Sequence, residues 1–410
     1  MKSDLDRLME AQALDAILIT GPAQHNPPMT YFTGPIHMTG GDLIKLRGSD
    51  PVLFYNPMER DEAAKSGIPT KNLADYKFDE LMKSAQGNLL EATILRYVKM
   101  LSEYGLTSSR LAIFGRMDIG SAYAIFAGLN EKLPQLDIVG QLGDSLLLHA
   151  MATKDEYEVE RIRNMGKITV SVVEKVANFL TSHKARNSIL VKSDGEPLTI
   201  GEVKNHINLW LVEAGVENPE GTIFAIGRDA GVPHSSGNPR DILELGKTII
   251  FDIFPTEAGG GYYFDFTRTW CLGYAPDNVM NLYQDVFKVY DQIISELKVD
   301  SLASQYQERT CELFAELGHP TIKTNPQTQE GYVHSLGHGV GLHIHEYPRI
   351  SSNFKEDRLS PGSVVTIEPG LYYPEKGMGI RLEDTVWMRP DGGIEILAPY
   401  SYDLVLPVSK

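Results

Sequence analysis

Cysteine is nearly absent. Cys271 and Cys311 are the only two in 410 residues, too few for a disulfide framework in a chain long enough not to need one. Basic residues are also scarce: Lys and Arg total 38 against 54 Asp and Glu, a net charge of −16. A surface of that sign repels phosphate backbones, so nucleic-acid binding is not expected. Long hydrophobic runs are missing too. The apolar stretch Leu14–Thr20 is short and broken by Asp15, and no later stretch reaches the ~18 apolar residues of a spanning helix. The opening Met1–Glu10 is polar and charged, unlike a signal peptide. Membrane and secreted classes are thereby disfavoured, and a cytoplasmic enzyme is expected.

At 42% hydrophobic and 22% charged residues the composition is that of an ordinary globular protein. Its length predicts more than one domain. Over residues 1–150, LDAILIT (Leu14–Thr20), PVLFYN (Pro51–Asn56) and RLAIFG (Arg110–Gly115) read as strands. Leu89–Tyr104 and Ser121–Leu133 carry helical spacing, so an α/β domain with a small mixed sheet is expected. His25 and His37 are isolated here, and no titratable cluster suggests chemistry. From residue 151 the texture changes. Lys154–Leu180 reads as a long amphipathic helix suited to joining two domains, and a second helix capped by Thr199 follows it. Then come strands at Thr222–Gly227 and Thr248–Pro255, and helices within Asp277–Lys298 and Ser301–Leu317. Strands return in the last ninety residues, giving an α+β whole with domains 1–150 and 151–410.

The strand TIIFDIFP carries Asp252, and YYFDFTRTW carries Asp265, with the glycine-rich turn Glu257–Gly261 between them. Period-2 alternation puts Asp252 opposite Phe251 and Ile253, and puts Asp265 on one face with Tyr263 and Thr267. A hairpin would set the two carboxylates side by side. The same device recurs in SVVTIEPG and GIRLEDTVW, where Glu368 shares a face with Thr366, and Glu383 with Arg381 and Thr385. Acidic residues in strands this apolar are costly unless neutralised. Four converging carboxylates call for cations, and two divalent metals would satisfy them while generating a nucleophile from a shared water. Four of the eleven histidines then fall in one segment, HSLGHGVGLHIHE, as His334, His338, His343 and His345. One imidazole completes a site of two aspartates and two glutamates. That donor set suits manganese, with cobalt or zinc as alternatives.

These motifs resemble the pita-bread-fold metallopeptidases, within them the aminopeptidase P and prolidase branch. The segments that carry the resemblance are DIFPTEAGGGYYFDFTRTW, HSLGHGVGLHIHEYP, TIEPGLY and GIRLEDT. The opening DRLMEAQALDAILITGPAQHNPPMTYFTG resembles the creatinase-like domain that precedes the catalytic domain in that branch. The resemblance implies a pseudo-duplicated antiparallel sheet and two divalent ions. Asp252 would chelate one ion, Asp265 and Glu383 would bridge both, and His338 and Glu368 would complete the second. A metal-bridging hydroxide would attack, with Glu368 as general base. His345 would steady the scissile carbonyl, and His234, in GVPHSSG, would lie near the substrate amide. Arg381 would orient the site, Tyr372 is a weaker candidate, and His334 would support from behind. In an extended segment His343 would face away from His345. A homodimer is also implied by resemblance.

One departure from the family pattern lies in Asp252-Ile-Phe-Pro, where Asp-x-Gly is usual, with a longer link through Gly259–Gly261. It leaves the ligands intact and bears on substrate preference. The expected substrate is a peptide with proline in second position. An Xaa-Pro aminopeptidase is the first expectation and an Xaa-Pro dipeptidase the alternative. A dipeptidase must pair the substrate's terminal carboxylate with a cation, for which Arg349, Arg240 and Arg381 are the candidates. A metal-free creatinase-like hydrolase or a non-catalytic scaffold fits poorly with five intact ligand positions.

Overall fold

The computed structural model describes residues 4–143 and 145–409. The chain forms two compact units, one of residues 4–151 together with Gly259–Gly261, the other of Ala152–Ala258 and residues 262–409. Among the described residues no helix is long and apolar enough to cross a membrane.

The first unit is built on a six-stranded mixed sheet. Its central strand, Ala16–Gly21, runs antiparallel to Gly41–Leu46 and parallel to Arg110–Gly115. Val52–Tyr55 and Thr70–Asn72 extend one side, and Asp137–Val139 the other. Sequence reading locates three of these strands and misses the short Thr70–Asn72 and Asp137–Val139 as well as Gly41–Leu46, whose Asp42 and Lys45 are buried polar residues that interrupt the apolar pattern. Leu89–Glu103 and Ile119–Lys132 are the two helices expected from spacing. Leu18, Ile44, Phe54, Tyr97, Leu101 and Leu129 form the core between sheet and helices.

The second unit opens with the helix Glu156–Ser182. A capping box fixes its start, with the Asp155 side chain accepting from Glu158 N–H while Glu158 accepts from Asp155 N–H. It lies wholly in this unit rather than joining the two, and Lys154 precedes it. Thr199 and Glu202 form a second capping box for Ile200–Glu213. Two sheets dominate. The first orders Thr222–Ile226, Thr248–Ile253, Phe266–Leu272 and Val405–Leu406; the second orders Glu346–Ile350, Gly337–Gly339, Val364–Ile367, Asp384–Met388 and Ile394–Ile396. All pairs in the second sheet are antiparallel. In the first, only Phe266–Leu272 with Val405–Leu406 is parallel. Helices Asp277–Glu296 and Ser304–Glu316 cover them, burying Val286, Ile293, Cys311 and Phe314 against Val365, Ile367 and Val386. Both cysteines are free and buried.

The connection from Asp252 to Asp265 is the expected hairpin, closed by a glycine-rich turn at residues 258–261. The hairpin continues past Pro255, since Thr256 pairs with Tyr263, Phe264 N–H donates to the Pro255 carbonyl and Glu257 N–H donates to the Tyr262 carbonyl, both at 3.1 Å, while Thr256–Glu257 also pairs with Val216–Glu217.

Candidate metal centre

Asp252 sits near the end of Thr248–Ile253 and pairs in register with Thr267. Asp265 precedes the neighbouring strand by one residue, so the two carboxylates are diagonal neighbours on one face rather than directly opposed. In the second sheet Ile367 pairs with Asp384, and Glu368 and Glu383 leave adjacent strand ends together. The two pairs meet through the backbone. Thr267 and Glu383 form a bridge in which Glu383 N–H donates to the Thr267 carbonyl at 3.1 Å. Thr269 Oγ1 receives the Arg381 N–H and donates to the Arg381 carbonyl, both at 2.9 Å.

His338 enters from Gly337–Gly339, which pairs with Val364–Ile367 through Gly339 and Val365. A Cβ at Gly337 would lie 2.0 Å from the Thr366 carbonyl oxygen, so only glycine lets this strand approach so closely. The His338 Nδ1 meets the Gly339 carbonyl at 3.0 Å, which leaves Nε2 facing the acids. Nε2 lies 3.6 Å from Asp265 Oδ2 and 3.6 Å from Glu368 Oε1. Asp265, His338 and Glu383 each offer a ligand atom, all within 4.8 Å of one another.

Isolated charges would not remain in such a place. Burial first, and then the neighbouring carboxylates, hold the Asp265 and Glu383 carboxyls well above the usual range. Burial pushes Glu368 up to about 8, opposed by Arg381 and reinforced by Asp252. The same burial, helped by His345, lowers His338 to about 3, keeping the imidazole neutral and able to coordinate. Asp252 Oδ1 and Asp265 Oδ1 are buried without a hydrogen-bond partner among the described residues. Buried carboxylate oxygens with unused lone pairs, beside a neutral imidazole, are what a divalent cation fits.

Arg381 is the counter-charge within the cluster. Its Nη2 donates to Asp252 Oδ2 at 2.5 Å, its Nη1 to Tyr372 Oη at 2.8 Å, and its Nη1 also to the Pro233 carbonyl at 3.2 Å. Burial opposes its charge, yet Tyr372, Asp252, Glu368 and Glu383 raise its pKa well above the usual value. Among the described residues the Tyr372 hydroxyl is linked to the acids through Arg381, and on its other side meets His334 Nε2 at 2.8 Å. His334 therefore stands three hydrogen bonds behind Asp252, neutral because burial lowers it to about 3.

His345 is exposed, with its ring against that of His338 at a 4.3 Å centroid separation and 70°. His234 is exposed too, on the loop whose Pro233 carbonyl is held by Arg381. The 341–345 segment bends rather than extends, so alternation does not govern His343; its backbone N–H donates to Glu346 Oε1 at 3.0 Å. Arg349 pairs in register with His338 across Gly337–Gly339 and Glu346–Ile350. Its guanidinium donates to Asp357 and lies over the rings of Tyr347 and Phe354. Arg240 is exposed, on a turn after the His234 loop.

Three contributors escape sequence reading. Thr267 Oγ1 donates to Glu383 Oε2 at 2.6 Å; its shared face with Asp265 was the available signal. Arg268 is 1% exposed and donates to the carbonyls of Thr267 and Glu383 and to Asp384 Oδ1, so it fixes the backbone that carries two site residues. Asp384 also accepts from the Tyr290 and Tyr402 hydroxyls.

Comparison with known proteins gives the same picture over the full chain. Residues 160–390 match the metallopeptidase family M24 model, and residues 2–144 match the creatinase/prolidase N-terminal domain. The Xaa-Pro dipeptidase of Pyrococcus furiosus is 26% identical over 96% of this chain and 97% of its own. The prolidase structure from Pyrococcus horikoshii OT3 superposes with a TM-score of 0.71 at 23% identity, covering 98% of this chain and 99% of that one. The X-Pro aminopeptidase of Thermotoga maritima superposes at 0.74 with 20% identity, covering 97% and 99%. With its catalytic domain matched over more than half its length, the chain belongs to metallopeptidase family M24 and is a metal-dependent hydrolase of peptides.

Proposed function

We propose that the protein is an Xaa-Pro dipeptidase, hydrolysing the bond between a first residue and a terminal proline. The observation that carries the chemistry is the convergence of Asp252, Asp265, His338, Glu368 and Glu383, with two buried carboxylate oxygens unpartnered. The dipeptide preference replaces the first expectation of an aminopeptidase. It is supported by the full-length likeness to a curated Xaa-Pro dipeptidase, and by Arg349. Residues paired directly across antiparallel strands share a face, so Arg349 is a cation on the same face as His338. A dipeptide's carboxylate needs such a partner.

Asp252, Asp265, His338, Glu368 and Glu383 would hold two divalent ions; manganese suits the oxygen-rich donors, with cobalt or zinc as alternatives. Bound there, the ions would supply Lewis acidity and lower the pKa of water toward neutrality. Glu368 accepts the proton of the attacking water at its carboxylate and passes it to the leaving proline nitrogen. His345, beside His338 and facing outward, steadies the carbonyl oxygen as negative charge develops. His234 contacts the substrate amide. Arg381 holds Asp252 in one orientation through their 2.5 Å bond. A homodimer is the proposed assembly, by family likeness.

Side-by-side assay of Xaa-Pro and Xaa-Pro-Yaa with manganese-loaded protein tests the preference. Release of proline from the dipeptide, with the tripeptide little touched, is expected. Arg349→Met should raise KM for the dipeptide, by about 10- to 100-fold for the loss of a charge-assisted contact, and leave tripeptide cleavage unchanged. Efficient tripeptide cleavage by the native protein would return the assignment to the aminopeptidase.

A further inference from the structure

The segment 341–345 has no helix or strand to shape it, yet it carries His345. Beneath it lies an ion pair withdrawn from solvent: Lys154 Nζ donates to Glu346 Oε2 at 2.7 Å, with the two side chains 2% and 0% exposed. The other carboxylate oxygen, Oε1, accepts the His343 N–H at 3.0 Å. Gly341 N–H donates to the His343 carbonyl at 3.1 Å, and the Gly341 carbonyl accepts from Tyr263 N–H at 2.8 Å. A Cβ on Gly341 would fall 2.3 Å from Glu346 Oε2, so the bend is closed directly over the carboxylate. Lys154 is itself anchored, since its N–H donates to the Gly362 carbonyl at 2.8 Å. Immediately before, the register between Gly337–Gly339 and Glu346–Ile350 shifts after His338, so strand pairing alone does not define the path to His345.

A buried ion pair contributes little to stability compared with a well-filled apolar pair, because both ions are desolvated. The geometry around Glu346 points to a positional role instead. We propose that Lys154–Glu346 is a positioning pair that sets the 341–345 bend and so holds the His345 ring against His338. Glu346 supplies the template, accepting from His343 N–H where the bend reverses. Lys154 holds that carboxylate in place through the 2.7 Å contact. Neither residue touches substrate; both act through His345. The inference rests on the proposed peptidase reading for its kinetic consequence, and on geometry alone for its structural one.

The test is the double variant Lys154→Met/Glu346→Leu, which removes both charges together and leaves neither unpaired. Thermal stability should be kept and bound manganese unchanged. Turnover of an Xaa-Pro dipeptide should fall about 100-fold, the scale of an ångström-level misplacement of a catalytic group, with KM little altered. A crystal structure of the variant should show His345 moved off His338. Lys154→Met/Glu346→Gln keeps an oxygen for the His343 N–H and should restore most of the rate. In a His345→Ala background the Leu variant should cost nothing further, since pairs acting through one group are non-additive. An equal further loss there, or His345 unmoved in the structure, would overturn the proposal. If the Leu variant does not fold, Gly341→Ala, which keeps both charges but crowds the carboxylate, is read by the same measurements. Absence of Xaa-Pro turnover in the native protein would instead defeat the substrate reading, and the position of His345 in the variant would still decide this one.

Discussion

Glu368→Gln is expected to reduce dipeptide turnover by about 100- to 10,000-fold, the contribution of a positioned general base, while the protein remains folded. Glutamine matches the volume of glutamate and can keep the contact with Thr366 Oγ1, which lies 3.4 Å from Glu368 Oε1. What it cannot do is accept a proton. The substitution also removes one of the negative charges that raise the Asp265 and Glu383 carboxyls. Without metal and above pH ~8, where Glu368 is ionised, the variant should therefore melt at a higher temperature than the native protein, although it is far less active. Calorimetry of the chelated proteins and steady-state kinetics of the metal-loaded ones check the two halves separately. Turnover near the native value would remove Glu368 from the role of base.

The second large effect is a linkage between protons and metal. In the metal-free protein Glu368 titrates at about 8, and Asp265 and Glu383 well above their ordinary values, burial being the leading cause for each. A carboxyl whose folded pKa is raised binds more protons in the folded state than in the unfolded one. Its contribution to stability is present below the unfolded value and is lost as pH rises toward the folded one. His334 and His338, lowered to about 3, act in the opposite sense. They favour folding as pH rises, but only up to the unfolded histidine value near ~6.5. Between pH ~6.5 and ~8 the carboxyls therefore act alone, and the chelated protein should lose melting temperature across that window. Divalent ions held by these carboxyls would take the place of those protons. Loading with manganese should raise the melting temperature, flatten its decline, and release protons into a weakly buffered solution, more at pH ~6.5 than at pH ~8. Parallel pH profiles with and without metal, or binding without proton release, would mean that the carboxyls are not the ligands.

Much of the site is legible in one dimension because its chemistry is local to strands. Period-2 alternation places Asp252, Asp265, Glu368 and Glu383 on shared faces with Thr267, Thr366 and Arg381, and the hydrogen bonds of Thr267 and Thr366 to Glu383 and Glu368 follow that parity. The glycine framing of the histidine segment likewise has its cause in close backbone approach, as Gly337 against Thr366 demonstrates. Alternation fails where the strand ends. His343 and His345 lie on a bend in which the His343 N–H donates to Glu346 rather than to a neighbouring strand.

By itself the sequence determined the residue types, the two acidic strand pairs, the histidine segment and the cap at Thr199, because each depends on spacing of a few residues. Tertiary structure alone decided which distant charges neutralise one another. Arg268 meets Asp384 across 116 positions, Arg381 meets Asp252 across 129, and Lys154 meets Glu346 across 192. Each of these pairs is buried, and no short-range pattern announces it. An ion withdrawn from water is tolerated only where the folded chain delivers its partner, and that delivery belongs to the packing of sheet, helix and loop.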